Sequence, residues 1–156
     1  MASKEANARL HINDLLKEAG WILLDDITGR ANVVVEGAVD LSAIGDDYET
    51  ASKGFIDYLL LDTKGFPLAV LEAKSHDKDP LDGKYQAEKY AIAKRCKHVI
   101  MSYGETHYLW DLNHSSEQLI IKFPTQNDLK RLSNTTKAKP LTSKQAQAHL
   151  KIWNCN

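Results

Sequence analysis

Hydrophobic and polar positions along the chain predict an α/β protein. Residues 4–19 carry apolar side chains at helical spacing between an N-capping Ser3 and a terminating Gly20. Short apolar runs predict strands, and amphipathic stretches predict further helices. The predicted strands are 21–27, 32–36, 55–62, 67–74, 97–103, 106–112 and 118–123, and the further helices are 84–96, 125–132 and 142–153. This order predicts helices packed around one mixed sheet, with 37–53 as a long acidic loop.

Two of the predicted strands, 55–62 and 67–74, are apolar at almost every position. Both faces of such strands are normally buried, which predicts that the pair is central in the sheet. Asp57, Glu72 and Lys74 nevertheless lie within these runs. Charged groups in apolar surroundings are costly unless they are paired or have a function, so these three residues need an explanation.

The short turn at 63–66 predicts that the two strands form an antiparallel hairpin. If the turn is symmetric, Asp62 lies opposite Pro67 and Asp57 lies opposite Glu72. Opposite residues share one face, with Cβ atoms ~4.5–5.5 Å apart, and Lys74 lies two residues further along that face. The hairpin therefore brings the three charged side chains together, provided that no one-residue bulge shifts the register.

Two carboxylates at that distance raise a pKa or require a cation. Lys74 supplies one positive charge, and a hard divalent ion such as Mg²⁺, or alternatively Mn²⁺, suits carboxylates with a backbone carbonyl and waters. Such a site can hydrolyse a phosphodiester, because the metal activates water and an ammonium stabilises developing charge. The alternative is a structural salt bridge at a sheet end, which explains poorly why two acids share one base.

Composition and charge limit the classes of function. The chain has 156 residues, 43% hydrophobic and 26% charged, and a net charge of -1, so it is not a strongly basic nucleic-acid binder. Residues 122–156 nevertheless carry seven Lys/Arg against one acid, which fits either a solvated terminus or a local phosphate-binding patch. No apolar run approaches the ~18–20 residues of a membrane span, and the N-terminus lacks a signal-peptide pattern. Cys96 and Cys155 fit free thiols in a reducing cytoplasm.

Asp57 followed by Glu72-Ala73-Lys74 resembles the PD-(D/E)xK nuclease motif, with Ile56 at the degenerate Pro position. The stretches "GFIDY", "PLAVLEAK" and "GKYQAEKYA" together look like the N-terminal nuclease domain of the R subunit (HsdR) of type I restriction enzymes. The third stretch places Gln86 and Tyr90 four residues apart, on one helical face.

The resemblance implies a restriction-endonuclease-like fold, with a central mixed sheet flanked by helices, and Mg²⁺-dependent cleavage of double-stranded DNA. It implies that Asp57, Glu72 and the Ala73 carbonyl hold the metal, and that Lys74 acts on the nucleophile and the developing charge. Gln86 and Tyr90 then accompany these residues as part of the site. Without the resemblance, a Gln and a Tyr at this spacing are typical of an ordinary helix surface.

The first helix adds a weaker match. Glu5-Ala6-x-x-Arg9 resembles an "EA..R" element at the N-terminus of the same family, and in related nucleases its acid can approach the metal. Glu5 is thus a further candidate metal ligand, although an acid in the first turn of a helix is also explained by the helix dipole. No residue is assigned to DNA binding.

The predicted organisation is a nuclease-like domain at 1–132, followed by a basic linker and terminal helix at 133–156 that begins a connection to a motor region. The sequence contains no phosphate-binding loop, so this segment is not expected to bind ATP. The resemblance implies partners: the motor region of a longer chain, and the methyltransferase and specificity subunits. The alternatives are a non-cutting DNA-binding or interaction module of the same fold, and a stand-alone repair or defence nuclease.

Overall fold

The computed structural model of the chain describes residues 4–40, 53–74 and 80–134, which form a six-stranded mixed sheet with three helices. The helices are α1 (Lys4–Glu18), α2 (Pro80–Ala93) and α3 (Gln126–Asn134). The strands are β1 (Val33–Asp40), β2 (Lys53–Leu61), β3 (Pro67–Lys74), β4 (His98–Tyr103), β5 (Thr106–Asp111) and β6 (Ser116–Ile120). Their order in the sheet follows the chain, and the predicted α/β mixed sheet is confirmed.

All neighbouring strands are antiparallel except β3 and β4, which are parallel and connected through α2. A parallel pair needs such a crossover, because the chain must return to the same end of the sheet. The carboxyl end of β3 therefore leads directly towards α2. This connection puts the end of β3 that carries Glu72 and Lys74 next to the helix that carries Gln86 and Tyr90.

Each face of the sheet supports its own apolar core. On one face, Ile12 and Leu16 of α1 and Leu129 of α3 pack against residues such as Leu71 of β3. On the other face, α2 packs against alternate residues of the same strands, including Val70. Since β3 is covered on both faces, its nearly continuous apolar sequence is explained, and the prediction that it is a central strand is confirmed.

The β2–β3 hairpin has the predicted register in its body but not at its turn. Tyr58 lies opposite Leu71 and Leu60 opposite Ala69, as predicted, but Leu61 lies opposite Pro67. Leu68 is therefore the extra residue of a β-bulge, and the predicted symmetric turn is wrong. The bulge lies on the turn side of Leu60, so it does not shift the register towards Asp57 and Glu72.

The predicted strand 21–27 is absent, and this prediction was wrong. Its backbone bonds locally instead: the Ile22 N–H donates to the Asn32 Oδ1 at 2.8 Å, and the Thr28 N–H donates to the Asp26 carboxylate at 2.7 Å. Leu24 and Ile27 are exposed, so the apolar letters that suggested a strand do not face the core. Side-chain acceptors that bond nearby N–H groups stabilise a turn in place of a strand.

Several element boundaries also differ from prediction. β1 continues to Asp40 and β2 begins at Lys53, so both ends of the predicted loop 37–53 are wrong, and its middle lies outside the described residues. α2 begins at Pro80 rather than residue 84, since proline is well suited to the first turn of a helix, and it ends at Ala93. β6 begins and ends earlier than predicted.

The start of α3 agrees with the predicted N-cap at Thr125. The Asp128 N–H donates to the Thr125 Oγ1 at 3.1 Å, and the Asp128 carboxylate accepts the Thr125 N–H at 3.0 Å. The predicted helix 142–153 lies outside the described residues, so the linker and terminal helix of 133–156 stay predictions. Among the described helices, none has the length and apolar character that a membrane span requires.

Candidate active site

The central strands β2 and β3 separate at one end of their hairpin, and the candidate site lies there. Their pairing ends at Tyr58 and Leu71. Beyond this pair, β2 continues alongside β1, and β3 continues alongside β4. We call the point beyond this last pair the strand fork. Asp57 and Glu72 are the first residues on its two sides. The fork brings two acidic residues to the inside of the sheet rather than to an outer edge.

At the strand fork, the Asp57 side chain takes the place of a backbone carbonyl as the acceptor for an N–H group of β3. Its Oδ2 accepts a hydrogen bond from the Ala73 N–H at 2.9 Å. Its other oxygen, Oδ1, lies 3.5 Å from the Arg9 guanidinium of α1. The Asp57 side chain is 21% exposed, so solvent or a ligand can still approach this carboxylate.

Glu72 is almost completely buried, with 2% of its side chain exposed. Its Oε2 lies 3.4 Å from the Lys74 ammonium, but its Oε1 is buried and has no hydrogen-bond partner. Burial, followed by the charge of Asp57, raises the pKa of Glu72 to about 7, although Lys74 acts in the opposite direction. A buried carboxylate oxygen without a partner is rare and costly, which is the condition that a bound cation would relieve.

Lys74 connects the acidic pair to α2. Its Nζ donates to the Gln86 Oε1 at 3.2 Å, and the Gln86 amide in turn donates to the Tyr90 hydroxyl at 2.6 Å. Gln86 and Tyr90 thus share one helical face, as predicted, and their hydrogen bonds point towards the site. Tyr90 is buried in the core beneath α2, so the hydrogen bonds that run from Lys74 through Gln86 end on a side chain that packing holds in place.

Gly83 of α2 has a packing role at the site that the sequence did not suggest. A Cβ on Gly83 would lie 3.1 Å from the Lys74 Cγ and 3.2 Å from its Cε. Glycine therefore allows α2 to approach the lysine stem closely. A glycine in the first turns of the helix that follows the charged strand β3 is a signal that could have indicated this close approach.

Of the predicted site residues, the structure brings together Asp57, Glu72, Lys74, Gln86 and Tyr90. Glu5 lies in α1, one turn before Arg9, and its side chain is outside the described part of the structure. The contact between Arg9 and Asp57 was not predicted. Arg9 belongs to the same "EA..R" element as Glu5, but that element does not indicate which residue Arg9 contacts.

The donor set fits a hard divalent cation. Glu72 offers a buried oxygen without a partner, Asp57 offers a partly accessible carboxylate, and the backbone of Ala73 lies next to both, since its N–H donates to Asp57. The described residues contain no group of three or more His, Cys, Asp or Glu side chains suited to a metal ion. The remaining ligands would then be a backbone carbonyl, waters or substrate oxygens, which is the usual pattern for Mg²⁺.

Comparison with known proteins gives one informative match. No protein-family model matches the chain, and a search of curated proteins found no match. Among solved structures, the chain matches a restriction-enzyme fragment and shares its α/β fold, which supports the restriction-endonuclease-like class. That fragment is described as an HsdR subunit of a type I restriction enzyme from Vibrio vulnificus YJ016.

The two sequences are 30% identical and the structures match with a TM-score of 0.60. The match covers 82% of this chain but 25% of the other, so this chain spans about a quarter of the length of the protein it resembles. The similarity therefore extends over most of this chain and relates it to one part of a larger protein.

Proposed function

We propose that the chain is a Mg²⁺-dependent nuclease domain that cleaves phosphodiester bonds in DNA as part of a type I restriction system. The observation that carries this proposal is the buried Glu72 oxygen without a partner, beside Asp57 and Lys74 at the strand fork. The similarity to an HsdR fragment supports the same class of activity. Perturbed carboxylates near a lysine are typical of catalytic sites.

Asp57, Glu72 and the Ala73 carbonyl are the groups that would hold the ion. When bound, Mg²⁺ supplies positive charge that polarises the phosphate and lowers the pKa of a coordinated water. The protein contributes a preorganised position for that charge. Glu72 is fixed by burial and Asp57 by the Ala73 N–H, so neither carboxylate has to be ordered when the ion arrives.

Lys74 is the group proposed to act on the reaction itself. Its ammonium is restrained between the Glu72 carboxylate and the Gln86 amide oxygen. An ammonium has three donors, so one remains to hold the attacking water or a phosphate oxygen. Gln86 and Tyr90 are positioning residues in this scheme, because they fix the lysine through their own hydrogen bond.

The wider setting of the domain is part of the proposal. The substrate is double-stranded DNA, and Mn²⁺ is an alternative ion. The similarity to an HsdR fragment supports a place in a type I restriction system. The proposed partners are a motor region elsewhere in the same protein and the methyltransferase and specificity subunits. ATP would be bound by that motor region, and the compartment would be the cytoplasm.

The test measures metal binding and cleavage in the same preparations. We expect Asp57→Asn to weaken Mn²⁺ binding in calorimetry, and Lys74→Ala to retain it. Both variants should lose at least about a hundredfold in the rate of nicking supercoiled plasmid, the size expected when one group that stabilises the transition state is removed. Asp14→Asn, on the exposed surface of α1, is the matched control and should behave as the wild type.

Two outcomes would contradict the proposal. Cleavage by both variants at the wild-type rate would exclude this site as the catalytic one. A wild-type protein that binds DNA but neither Mn²⁺ nor Mg²⁺ would instead support the non-cutting module of the same fold. Circular dichroism of each variant confirms that the fold is retained.

A further inference from the structure

The contact between Arg9 and Asp57 places a positive charge where the metal is proposed to bind. The Arg9 Nη2 lies 3.5 Å from the Asp57 Oδ1, and the other oxygen of Asp57 already accepts the Ala73 N–H. Both oxygens of Asp57 are thus engaged, whereas Glu72 retains an oxygen without a partner. The two acids of the candidate site therefore differ in how they are neutralised.

The backbone of Arg9 is held by a hydrogen bond, and its side chain is partly exposed. The Tyr58 hydroxyl of β2 donates to the Arg9 carbonyl oxygen at 3.4 Å, which ties this turn of α1 to the strand that carries Asp57. The Arg9 side chain is 41% exposed, which leaves room for its end to move away from the carboxylate. Because the backbone of Arg9 is anchored and its side chain is accessible, its contact with Asp57 can be made and broken without a change of fold.

A guanidinium and a divalent cation compete for the same carboxylate lone pairs. Their positive charges also repel each other at short distance, and more strongly in a partly buried site than in water. A cation that coordinates the Asp57 Oδ1 must therefore displace Arg9 or accept the repulsion. Arg9 is long and flexible enough to move, because its stem carries several rotatable bonds.

We propose that Arg9 is a displaceable counter-ion of Asp57: it neutralises the carboxylate in the metal-free protein and leaves it when a divalent cation binds. Arg9 is a positioning residue in this scheme, and it sets the metal affinity of the site. This inference rests on the proposed function only in taking Asp57 as a metal ligand. A permanent structural ion pair is the competing explanation, and it predicts the opposite effect on metal affinity.

The experiment measures the affinity of the complete chain for Mn²⁺ by calorimetry. Removal of the competing charge in Arg9→Ala should raise that affinity by about fivefold, near the upper limit for a partly exposed ion pair. Arg9→Gln, which keeps a polar side chain without the charge, should raise it as well. Arg30→Ala is the matched control, because it removes the same charge from an exposed turn and should leave the affinity unchanged.

A second measurement follows Arg9 directly in the wild type and does not depend on comparing the metal affinities of variants. The side-chain Nε–H resonance of Arg9, assigned by its absence in Arg9→Lys, should shift during a Mg²⁺ titration of the wild type. The midpoint of that shift should equal the calorimetric midpoint for Mg²⁺. This readout stays informative if Arg9→Ala fails to fold.

The possible failures can be distinguished. If Arg9→Ala and Arg9→Gln bind Mn²⁺ as the wild type does or more weakly, and the Arg9 resonance does not respond to Mg²⁺, Arg9 is a structural partner and the inference is wrong. In that case Asp57→Asn would still weaken Mn²⁺ binding if the proposed function holds. If Asp57→Asn leaves Mn²⁺ binding unchanged, Asp57 is not a ligand, and both the site assignment and this inference fail.

Discussion

Two carboxylates on the same hairpin, Asp62 at the turn and Glu72 at the strand fork, have opposite environments. Asp62 accepts the backbone N–H groups of Lys64 at 2.8 Å and Phe66 at 2.9 Å. Its slight burial opposes the effect, but these bonds hold the pKa of Asp62 below its usual value. Glu72 is buried with one oxygen unpartnered, and its pKa is raised to about 7.

The difference separates a carboxylate whose charged form is stabilised by the fold from one whose charged form is not. The backbone donors around Asp62 stabilise its charged form, so that form contributes to the turn. The charged form of Glu72 lacks enough donors and is therefore costly in the metal-free protein. Residues of similar chemistry on one hairpin can thus be assigned different roles from their hydrogen-bond partners alone.

The largest effect that tests this comparison is the dependence of stability on pH. The pKa of Glu72 is about 7 in the folded chain against an ordinary value of 4.5, so the folded state retains a proton that the unfolded state has released. This contribution to stability is fully present below pH 4.5 and is lost as the pH rises to 7. Relative to Glu72→Gln, the wild type should lose about 3 kcal/mol of unfolding free energy over that interval.

Urea unfolding at a series of pH values measures this loss, since the other titrating groups cancel when the two proteins are compared. Saturating Mg²⁺ should reduce the loss in the wild type, because a bound cation stabilises the charged carboxylate. If the unfolding free energies of the wild type and Glu72→Gln change with pH in the same way, Glu72 is solvated, and the contrast with Asp62 is wrong.

A smaller effect is expected at the other carboxylate. Asp62→Ala removes the acceptor for two backbone N–H groups of an exposed turn, and it should reduce the unfolding free energy by about 1 kcal/mol. Mn²⁺ affinity and plasmid cleavage should remain at the wild-type level. Asp62→Asn keeps one acceptor oxygen and should recover part of the stability in urea unfolding. Loss of Mn²⁺ binding in Asp62→Ala would mean that the two ends of the hairpin are coupled.

The smallest effect is expected when the hydrogen bond between Lys74 and Gln86 is removed. Gln86→Ala removes the acceptor that holds the Lys74 ammonium, and it should slow cleavage roughly fivefold, equivalent to the loss of one ordinary hydrogen bond. Gln118→Ala, exposed on β6, serves as the matched control. Mn²⁺ affinity should not change in either variant. Cleavage at the full wild-type rate in Gln86→Ala would indicate that Glu72 alone positions the lysine.

The central hairpin and its charged cluster could be predicted from the sequence because the information is local. Two apolar runs with a short turn determine strand pairing, and a two-residue period determines which side chains share a face. The symmetric turn was nevertheless wrong, since the Asp62 side chain closes a different turn and Leu68 is left as a bulge. The predicted pair of Asp57 and Glu72 is not part of the register, which ends at Tyr58 and Leu71. The charged side chains still lie together, because the bulge lies between the turn and Leu60.

Other features depend on distant contacts and could not be predicted in this way. The segment 21–27 has an apolar pattern, but its first residue, Trp21, donates to the Pro124 carbonyl oxygen at 2.9 Å, on the far side of the sequence. The contact between Arg9 and Asp57 joins a helix to a strand far along the chain. The spacing of apolar residues does not indicate which residues come into contact when they are far apart in the sequence.

The connection of β3 to α2 has a consequence for how such a site can be inherited. Glu72, Lys74, Gln86 and Tyr90 all belong to this one strand-and-helix unit, and Asp57 is the one member of the cluster supplied by the neighbouring strand. Recombination that transfers the segment from Glu72 to Tyr90 as a cassette would carry most of the site into another sheet. The recipient would need to offer a single acidic residue at the facing position. Insertions between Gly83 and Gln86 would be poorly tolerated, because each residue added within the helix turns Gln86 by about 100° relative to Gly83.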